Sequence, residues 1–284
     1  MSSNTPPDPI KLVEDWPGGR LLDPRGRKKI VLADGLLSQT GSATDKLDGF
    51  IRYLQNNFGF QRSDVLEITY HGVQAPAGWR PLPYESRHCE APIAQLVRHV
   101  AQTLQWYAER LPPDTSYHLI GYSLGGVAMF EAASQILPQW VAHRRGRLES
   151  VATLSAPLFG ADLGAEGELL GALGLGALVP GGAAVRETIA RGRSPAHRAR
   201  IEQEARSLKS AGVQLLTLAD SNDVVVTPED AIIAPPAERA SFVLSGPRLP
   251  GDSSQKNPFG HGPIVSNTLG WVKMARQIGQ QSGR

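Results

Sequence analysis

Ser123 is the residue of this 284-residue chain whose surroundings most clearly indicate chemistry. It lies within residues 121–125, which fit the pattern G-x-S-x-G of a nucleophile elbow, a sharp strand-to-helix turn that exposes a serine hydroxyl. Apolar residues before the pattern indicate a strand. Apolar residues at helical spacing follow it, up to a helix end that we predict at Pro138. The sequence therefore predicts the strand–turn–helix setting that this motif requires, and Ser123 is the candidate nucleophile.

A serine hydroxyl is a weak nucleophile at neutral pH, so it needs a base, which is in turn oriented by a carboxylate. On elbows of this type, the acid and then the histidine follow the serine along the chain. Of the seven histidines, only His143, His197 and His261 follow Ser123. No acid-bearing strand precedes His143, and His197 comes before the strand that should deliver the acid. His261, between two glycines after the last predicted strand, is the predicted base.

Two carboxylates compete for the role of the acid, which should follow the strand predicted over 213–219. Asp220 stands at the tip of that strand, whereas Asp223 precedes a run of valines that can anchor the loop. A buried aspartate there would accept the imidazole N–H and stabilise the imidazolium that forms in the reaction. We predict Asp223, with Asp220 as the alternative. For either residue, a turn-capping role is the competing structural explanation.

The negative charge that develops on a substrate carbonyl needs backbone N–H donors, which together form an oxyanion hole. One donor should come from Leu124, the residue after the nucleophile, and the other from the loop after the first core strand. That strand is predicted over 29–33. In the following loop we predict the N–H of Leu36 as the donor, with Gly35 as a near neighbour.

These features resemble the α/β-hydrolase superfamily, and within it the bacterial lipases and esterases, over about residues 28–278. Besides the elbow and the order of the triad, residues 154–160 are similar to the T-P-H-x-G run that such lipases carry after the strand following the elbow. Ala156 and Leu158 replace the threonine and the histidine of that run, and Asp34 stands where many members have the histidine of a His-Gly pair. The resemblance implies an α/β fold with a mostly parallel sheet flanked by helices and an inserted lid or cap.

The periodicity of the chain agrees with this fold, because predicted strands alternate with predicted helices. The strands are predicted at 29–33, 65–70, 119–120, 150–154, 213–219 and 241–244, and the helices at 47–58, 92–111, 124–137 and 263–278; residues 71–89 are predicted to be a loop.

We expect an irregular N-terminal segment over 1–27 and one α/β-hydrolase domain over 28–284, with a cap insertion at about 158–210. The insertion mixes leucines with glycines, which lower helix stability, so it is apolar but orders weakly by itself. Leu170 and Leu173 are therefore predicted to contact the acyl part of a substrate. Packing of these leucines on the core is the alternative.

Composition argues against nucleic-acid binding and against membrane insertion. The formal net charge is only +2. The one basic cluster, within 186–209, is interleaved with glutamates and has no aromatic residues, so we interpret it as a solvated helix face. No run approaches the ~18 apolar residues of a membrane span. The first nine residues lack the apolar core of a signal peptide, and the single cysteine, Cys89, fits a reducing compartment. We therefore expect a cytoplasmic protein.

We also expect no metal and no cofactor. His71, His88 and Cys89 do not have the spacing of paired metal ligands, and neither a P-loop nor a dinucleotide fingerprint is present. Cys89 has no elbow around it, so it is a poor rival to Ser123 as a nucleophile.

The function that these residues imply is a serine hydrolase that cleaves carboxylic esters, lipase-like or esterase-like, through an acyl-enzyme. The substrate would be a small molecule, an ester or thioester with an apolar acyl part. One alternative is an acyltransferase or thioesterase that uses the same acyl-serine. Another is a hydrolase-fold ligand-binding protein with little turnover. The sequence does not predict an oligomeric state.

Overall fold

The computed structural model of the protein describes residues 27–35, 45–76, 78–143, 145–161, 182–192, 194–221, 223, 225–233, 238–242 and 263–279. The strands in chain order are β1 (Lys28–Ala33), β2 (Val65–Glu67), β3 (Gly72–Ala75), β4 (Gly78–Pro81), β5 (Ser116–Tyr122), β6 (Arg147–Leu154), β7 (Gln214–Asp220) and β8 (Glu238–Phe242). The α-helices are α1 (Asp48–Phe58), α2 (Ile93–Arg110), α3 (Leu124–His143), α4 (Gly182–Gly192), α5 (Pro195–Ser210), α6 (Pro228–Ala231) and α7 (Thr268–Gly279).

Within the described residues, six strands pair side by side in the order β2-β1-β5-β6-β7-β8, and every pair is parallel. Parallel strands are covered by helices on both faces, so their side chains are apolar in both directions. In β5, Leu119 belongs to the core beneath α2, α3 and α5, whereas its neighbour Ile120 belongs to the core beneath α1 and α7. The predicted parallel sheet flanked by helices is confirmed.

Helix α3 does not end at Pro138, as the sequence analysis predicted, but continues to His143. A proline inside a helix removes one backbone hydrogen bond, a cost that later packing has to offset. Trp140 supplies such packing, because it is buried against the ring of Tyr117 at a centroid distance of 4.8 Å. Its Nε1 also donates to Oε1 of Gln105 at 3.1 Å.

The region 71–89 is not simply a loop, because it contains the antiparallel hairpin β3–β4 and the start of a 3-10 turn at Ser86–Glu90. The ring of Trp79 packs on Gly72 of the opposite strand and stacks on His99 of α2, with centroids 5.1 Å apart. These contacts stabilise strands that are too short to show an alternating pattern in sequence. The last strand also differs from its prediction, since β8 begins three residues earlier.

Of the predicted insertion at 158–210, the structure describes residues 158–161, α4 and most of the stretch from 194 onwards, including α5. The basic cluster there is not wholly a solvated face. Arg191 and Arg200 both pair with Glu131 of α3, whose side chain is only 7% exposed. The division into a 1–27 segment and a single domain with a cap stays a prediction.

Candidate active site

The backbone of Ser123 is in the left-handed region, with φ of 53°, between the end of β5 and the start of α3. Residues other than glycine hold such a conformation only where the surrounding structure imposes it, and these residues are concentrated at functional sites. The N–H of Ser123 donates to the carbonyl of Leu154 in β6 at 2.9 Å, which fixes the turn on the neighbouring strand. This is the geometry that the elbow prediction requires.

The glycines of the motif are explained by close backbone contacts. A Cβ at Gly125 would lie 2.5 Å from the carbonyl oxygens of both Ala33 and Asp34, and a Cβ at Gly121 would lie 2.5 Å from the Cα of Gly126. Helix α3 can therefore begin directly behind the end of β1 only if these positions lack side chains. The first strand and the nucleophile turn are brought together in this way.

Replacing Gly125 with alanine should destabilise the fold, because the new methyl group meets backbone oxygens that cannot move aside. We expect the free energy of unfolding to fall by about 1–3 kcal/mol or more, as for other overpacked sites. Gly270 is the matched control, since a Cβ there has no neighbour nearer than 3.6 Å. Gly270→Ala, inside helix α7, should be neutral or stabilise by up to about 1 kcal/mol. Urea unfolding of both variants measures the difference, and equal stabilities would contradict the packing argument.

The loop after β1 passes directly over the nucleophile. A Cβ at Gly35 would lie 2.8 Å from the Cβ of Ser123 and 3.3 Å from its Oγ. On the other side of the serine, Leu124 is the first residue of α3, and the N–H groups of a first helical turn have no partner within their helix. The positive end of the helix dipole lies at the same place. The two backbone segments that the oxyanion prediction names therefore flank Ser123.

Asp34 and Tyr70 hold this loop in place. Asp34 is fully buried, and its Oδ2 accepts the backbone N–H of Lys46 at 2.9 Å. Its Oδ1 accepts the N–H of Gly35 at 3.3 Å, and its carbonyl oxygen accepts the hydroxyl of Tyr70 at 2.5 Å. The N–H of Gly35 thus faces Asp34, which favours Leu36 over Gly35 as the oxyanion donor. Leu36 itself lies outside the described residues.

Both candidate acids are buried, one at the end of β7 and one in the loop after it. Asp220 is the last residue of the strand and is 1% exposed, and Asp223 is 3% exposed. The Oδ1 of Asp223 accepts the backbone N–H groups of Val225 and Val226, each at 2.9 Å. Such bonds stabilise a charged carboxylate and fix its direction. The valine run therefore anchors the loop through its backbone.

The hydroxyl of Tyr122, the residue before Ser123, is affected by charges of both the acid loop and the β1 loop. Burial first, and then the carboxylates of Asp223 and Asp34, raise the pKa of its hydroxyl well above the ordinary value. The carboxylate of Asp223 is therefore one of the two charges that oppose ionisation of the residue before Ser123.

The other predicted site residues divide into those that the structure describes and those that it does not. His261, Leu170 and Leu173, like Leu36, lie outside the described residues. His143 is exposed at the end of α3. His197 is half-buried on α5, with its Nε2 2.8 Å from the carbonyl oxygen of Leu158.

Cys89 is buried, with its Sγ 3.0 Å from the hydroxyl of Tyr84. Burial is the main cause that raises its pKa to about 11, so the thiol is protonated at neutral pH and is a poor nucleophile. In the described part of the chain, no three His, Cys, Asp or Glu side chains are arranged to hold a metal ion. None of the described helices is both long enough and apolar enough to cross a membrane.

Sequence reasoning missed Lys46 and Tyr70, and it treated Asp34 only as a departure from a family pattern. Asp34 and Tyr70 are 36 positions apart, and no motif joins them. The signal available in the sequence was the acidic residue itself, which directly follows a buried strand where apolar residues are the rule.

No protein-family model matches the chain, and no curated protein matches it. Solved structures do match its fold. The mature lipase BlEst2 of Bacillus licheniformis aligns over 90% of this chain and 93% of that chain, with a TM-score of 0.57 and 16% identity. The naproxen esterase of Bacillus subtilis aligns over 88% of this chain and 82% of that chain, with a TM-score of 0.49 and 14% identity.

A third solved structure, phospholipase PlaB of Legionella pneumophila, aligns over 69% of this chain, with a TM-score of 0.48 and 13% identity. This chain spans only 38% of the length of PlaB. The match to BlEst2, together with the parallel sheet, establishes that the chain has the α/β-hydrolase fold.

Proposed function

We propose that this protein is a serine hydrolase that cleaves carboxylic esters with an apolar acyl part. The observation that carries the proposal is the strained backbone of Ser123 at the β5–α3 junction, with Gly35 of the β1 loop against its side chain. Strain of this kind must be supported by the surrounding fold, and here it raises one hydroxyl beside two backbone segments that can supply oxyanion donors. BlEst2, the solved structure whose fold matches over most of both chains, is a lipase, and this agrees with the proposed reaction class.

In the proposed mechanism, His261 takes the proton of the Ser123 hydroxyl as its Oγ attacks the ester carbonyl. The carbonyl oxygen becomes an oxyanion, which the N–H groups of Leu124 and Leu36 stabilise. When the tetrahedral intermediate collapses, His261 gives its proton to the departing alcohol, and an acyl-serine remains. Water, deprotonated by His261, then attacks the acyl-serine, and His261 returns the proton to the Oγ of Ser123 as the acyl–oxygen bond breaks and the carboxylic acid leaves. Throughout, Asp223 accepts the imidazole N–H and stabilises the imidazolium.

The first experiment is labelling with a fluorophosphonate probe, followed by peptide mapping and by turnover of p-nitrophenyl esters and acyl thioesters of varied chain length. We expect the label on Ser123 and ester hydrolysis that labelling abolishes. Product analysis with added alcohols or amines would reveal acyl transfer, and faster thioester cleavage would indicate a thioesterase. A protein that is neither labelled nor active on any of these substrates would contradict the proposal and favour ligand binding.

We also propose that the insertion supplies the surface for the acyl chain, through Leu170 and Leu173. The support is a backbone contact between the two described parts of the insertion, the β6 loop and helix α4. The N–H of Ala161, after β6, donates to the carbonyl of Thr188 in α4 at 3.1 Å. The chain before residues 162–181 is therefore joined to α4 after them, at the loop that follows β6, the strand whose Leu154 accepts the N–H of Ser123.

Replacing Leu170 and Leu173 together with serine should lower kcat/KM on long-chain esters about 10- to 100-fold and on acetate esters about 3-fold or less. The reason is that each buried methylene contributes about 0.8 kcal/mol, and only a long acyl chain can use both side chains. Leu269, a partly exposed leucine on α7, provides the control Leu269→Ser. Equal losses on all chain lengths would show that the leucines pack on the core instead.

A further inference from the structure

The loop after β6, residues 155–161, contacts the elbow helix α3, helix α6 and helix α4. Its Ala156 packs on the elbow helix, since a Cβ at Gly126 would lie 2.5 Å from the Cβ of Ala156. The N–H of Phe159 donates to the carbonyl of Asp230 at 2.9 Å, on α6 beyond the acid loop. Ala161 bonds to α4, as described above. A displacement of this loop would therefore move the surroundings of both the nucleophile and the acid.

A group of charges centred on the buried carboxylate of Glu131 joins α3 to helices α4 and α5. Glu131 is two turns after Ser123 on α3, and its carboxylate contacts Arg191 of α4 at 2.5 Å and Arg200 of α5 at 3.2 Å. Arg200 also pairs with Glu204 at 2.6 Å. One carboxylate on the elbow helix thus connects both described helices of the insertion. If either arginine moved away, the buried carboxylate of Glu131 would lose part of its compensating charge, which is costly. The two arginines are therefore held close to Glu131.

His197 joins the loop to these charges. Its Nε2 lies 2.8 Å from the carbonyl oxygen of Leu158, and its Nδ1 lies 3.2 Å from an Nη2 of Arg200. A carbonyl oxygen can only accept a hydrogen bond, and a guanidinium can only donate one. The proton of the neutral ring must therefore be on Nε2, with the lone pair of Nδ1 facing the guanidinium. The two contacts together are compatible with one neutral tautomer.

The surroundings of His197 oppose a second proton on the ring. Arg191 of α4 and Arg200 of its own helix face it as cations, Glu131 of α3 is the opposing anion, and the β6 loop presents no ionisable side chain. Burial, followed in part by the two arginines, lowers the pKa of His197 below its ordinary value, against the hydrogen bond to Leu158 and the charge of Glu131. A proton on Nδ1 would point an N–H at the guanidinium, so the contact with Arg200 would be lost.

We propose that His197 is a positioning residue of the active site: as the neutral Nε2–H tautomer it donates to the carbonyl of Leu158 and accepts from Arg200, and so holds the β6 loop against the elbow helix. The proposal rests on the proposed function for its effect on catalysis, although the state of the ring can be measured without any activity. His197 does not touch the reacting atoms. It acts through the carbonyl of Leu158.

The first test is nitrogen NMR of the imidazole rings of the full-length protein over pH 5–8, with His197→Gln used to assign the signal. We expect the Nε2–H tautomer at pH 7.5 and titration below the ordinary value of about 6.5. The Nδ1–H tautomer, or titration at or above 6.5, would overturn the proposal. This measurement gives an answer even if the protein hydrolyses nothing.

The second test compares kcat/KM against pH for three variants on the best ester found. His197→Gln keeps a donor and an acceptor, so it should rescue the bond to Leu158, and we expect activity within about 3-fold of wild type. His197→Leu can make neither bond and should lose about 10-fold at every pH. His143→Gln, at an exposed site on α3, is the matched control and should follow wild type.

The two tests separate failure of this proposal from failure of the proposed function. If Ser123 is labelled and esters are cleaved, but His197→Leu is as active as wild type, the positioning role is wrong and the hydrolase stands. If fold and tautomer are as expected but no probe labels Ser123 and no ester turns over, the proposed function fails, and with it the catalytic part of this proposal. Equal activity of the leucine and glutamine variants would overturn the positioning role. Glutamine can form the two hydrogen bonds and leucine cannot, so equal activity would mean that the bonds do not matter for catalysis.

Discussion

Ser123→Ala is expected to lose at least about 10⁴-fold in kcat/KM on the best ester substrate while the protein remains folded. The change removes one hydroxyl from a turn that is held by backbone contacts, so the elbow survives without its nucleophile. Activity that remains would come from the oxyanion donors and from substrate binding, which retain a small part of the catalysis when a triad member is absent. Steady-state kinetics and loss of fluorophosphonate labelling measure the effect.

Ser134→Ala is the matched control for this experiment. Ser134 is on the same helix, and its hydroxyl donates to the carbonyl of Phe130 at the long distance of 3.4 Å. The control should keep wild-type activity and labelling. Ester hydrolysis by Ser123→Ala at a rate near that of wild type would show that the elbow is not the catalytic centre.

Asp223→Asn should lower kcat by about 10⁴-fold, and Asp220→Asn by about 10-fold or less. An amide in place of the triad carboxylate can hold the imidazole in the wrong tautomer and does not stabilise the imidazolium. We choose Asp223 because the N–H groups of Val225 and Val226 hold its carboxylate in one orientation.

Since both aspartates are buried, each variant needs a stability measurement beside its kinetics. Urea unfolding distinguishes a lost catalytic group from a lost fold. The larger kinetic loss at Asp220, in variants of equal stability, would identify Asp220 as the acid and reverse our assignment.

The parts of the fold that were predictable are those encoded in neighbouring residues. Hydrophobic periodicity and the glycine pair, within about twenty positions, predict the strand before Ser123, the turn and the following helix. The strand at β7 and the acids after it were located in the same way. These signals are local, so they survive without knowledge of the tertiary structure.

The features that were missed depend on contacts between distant positions. Pro138 is a local stop signal that packing of Trp140 on Tyr117 overrides. The hairpin β3–β4 depends on Trp79 lying between Gly72 and His99. His197 was discarded as a catalytic base by its place in the chain, and only the fold reveals that it bonds to Leu158. Sequence pattern alone contains none of these pairings.

The close backbone contact between Gly160 and Gly192 limits which parts of this chain can change in sequence without disturbing the site. Gly160 has φ of 93°, and any side chain there would collide with the backbone of Gly192, so the described ends of the insertion are sealed against each other at this junction. The contact fixes the position of the end of α4 relative to the β6 loop, whatever residues occupy 162–181. We therefore expect replacements within 162–181 to change substrate preference while the geometry of the nucleophile turn stays the same.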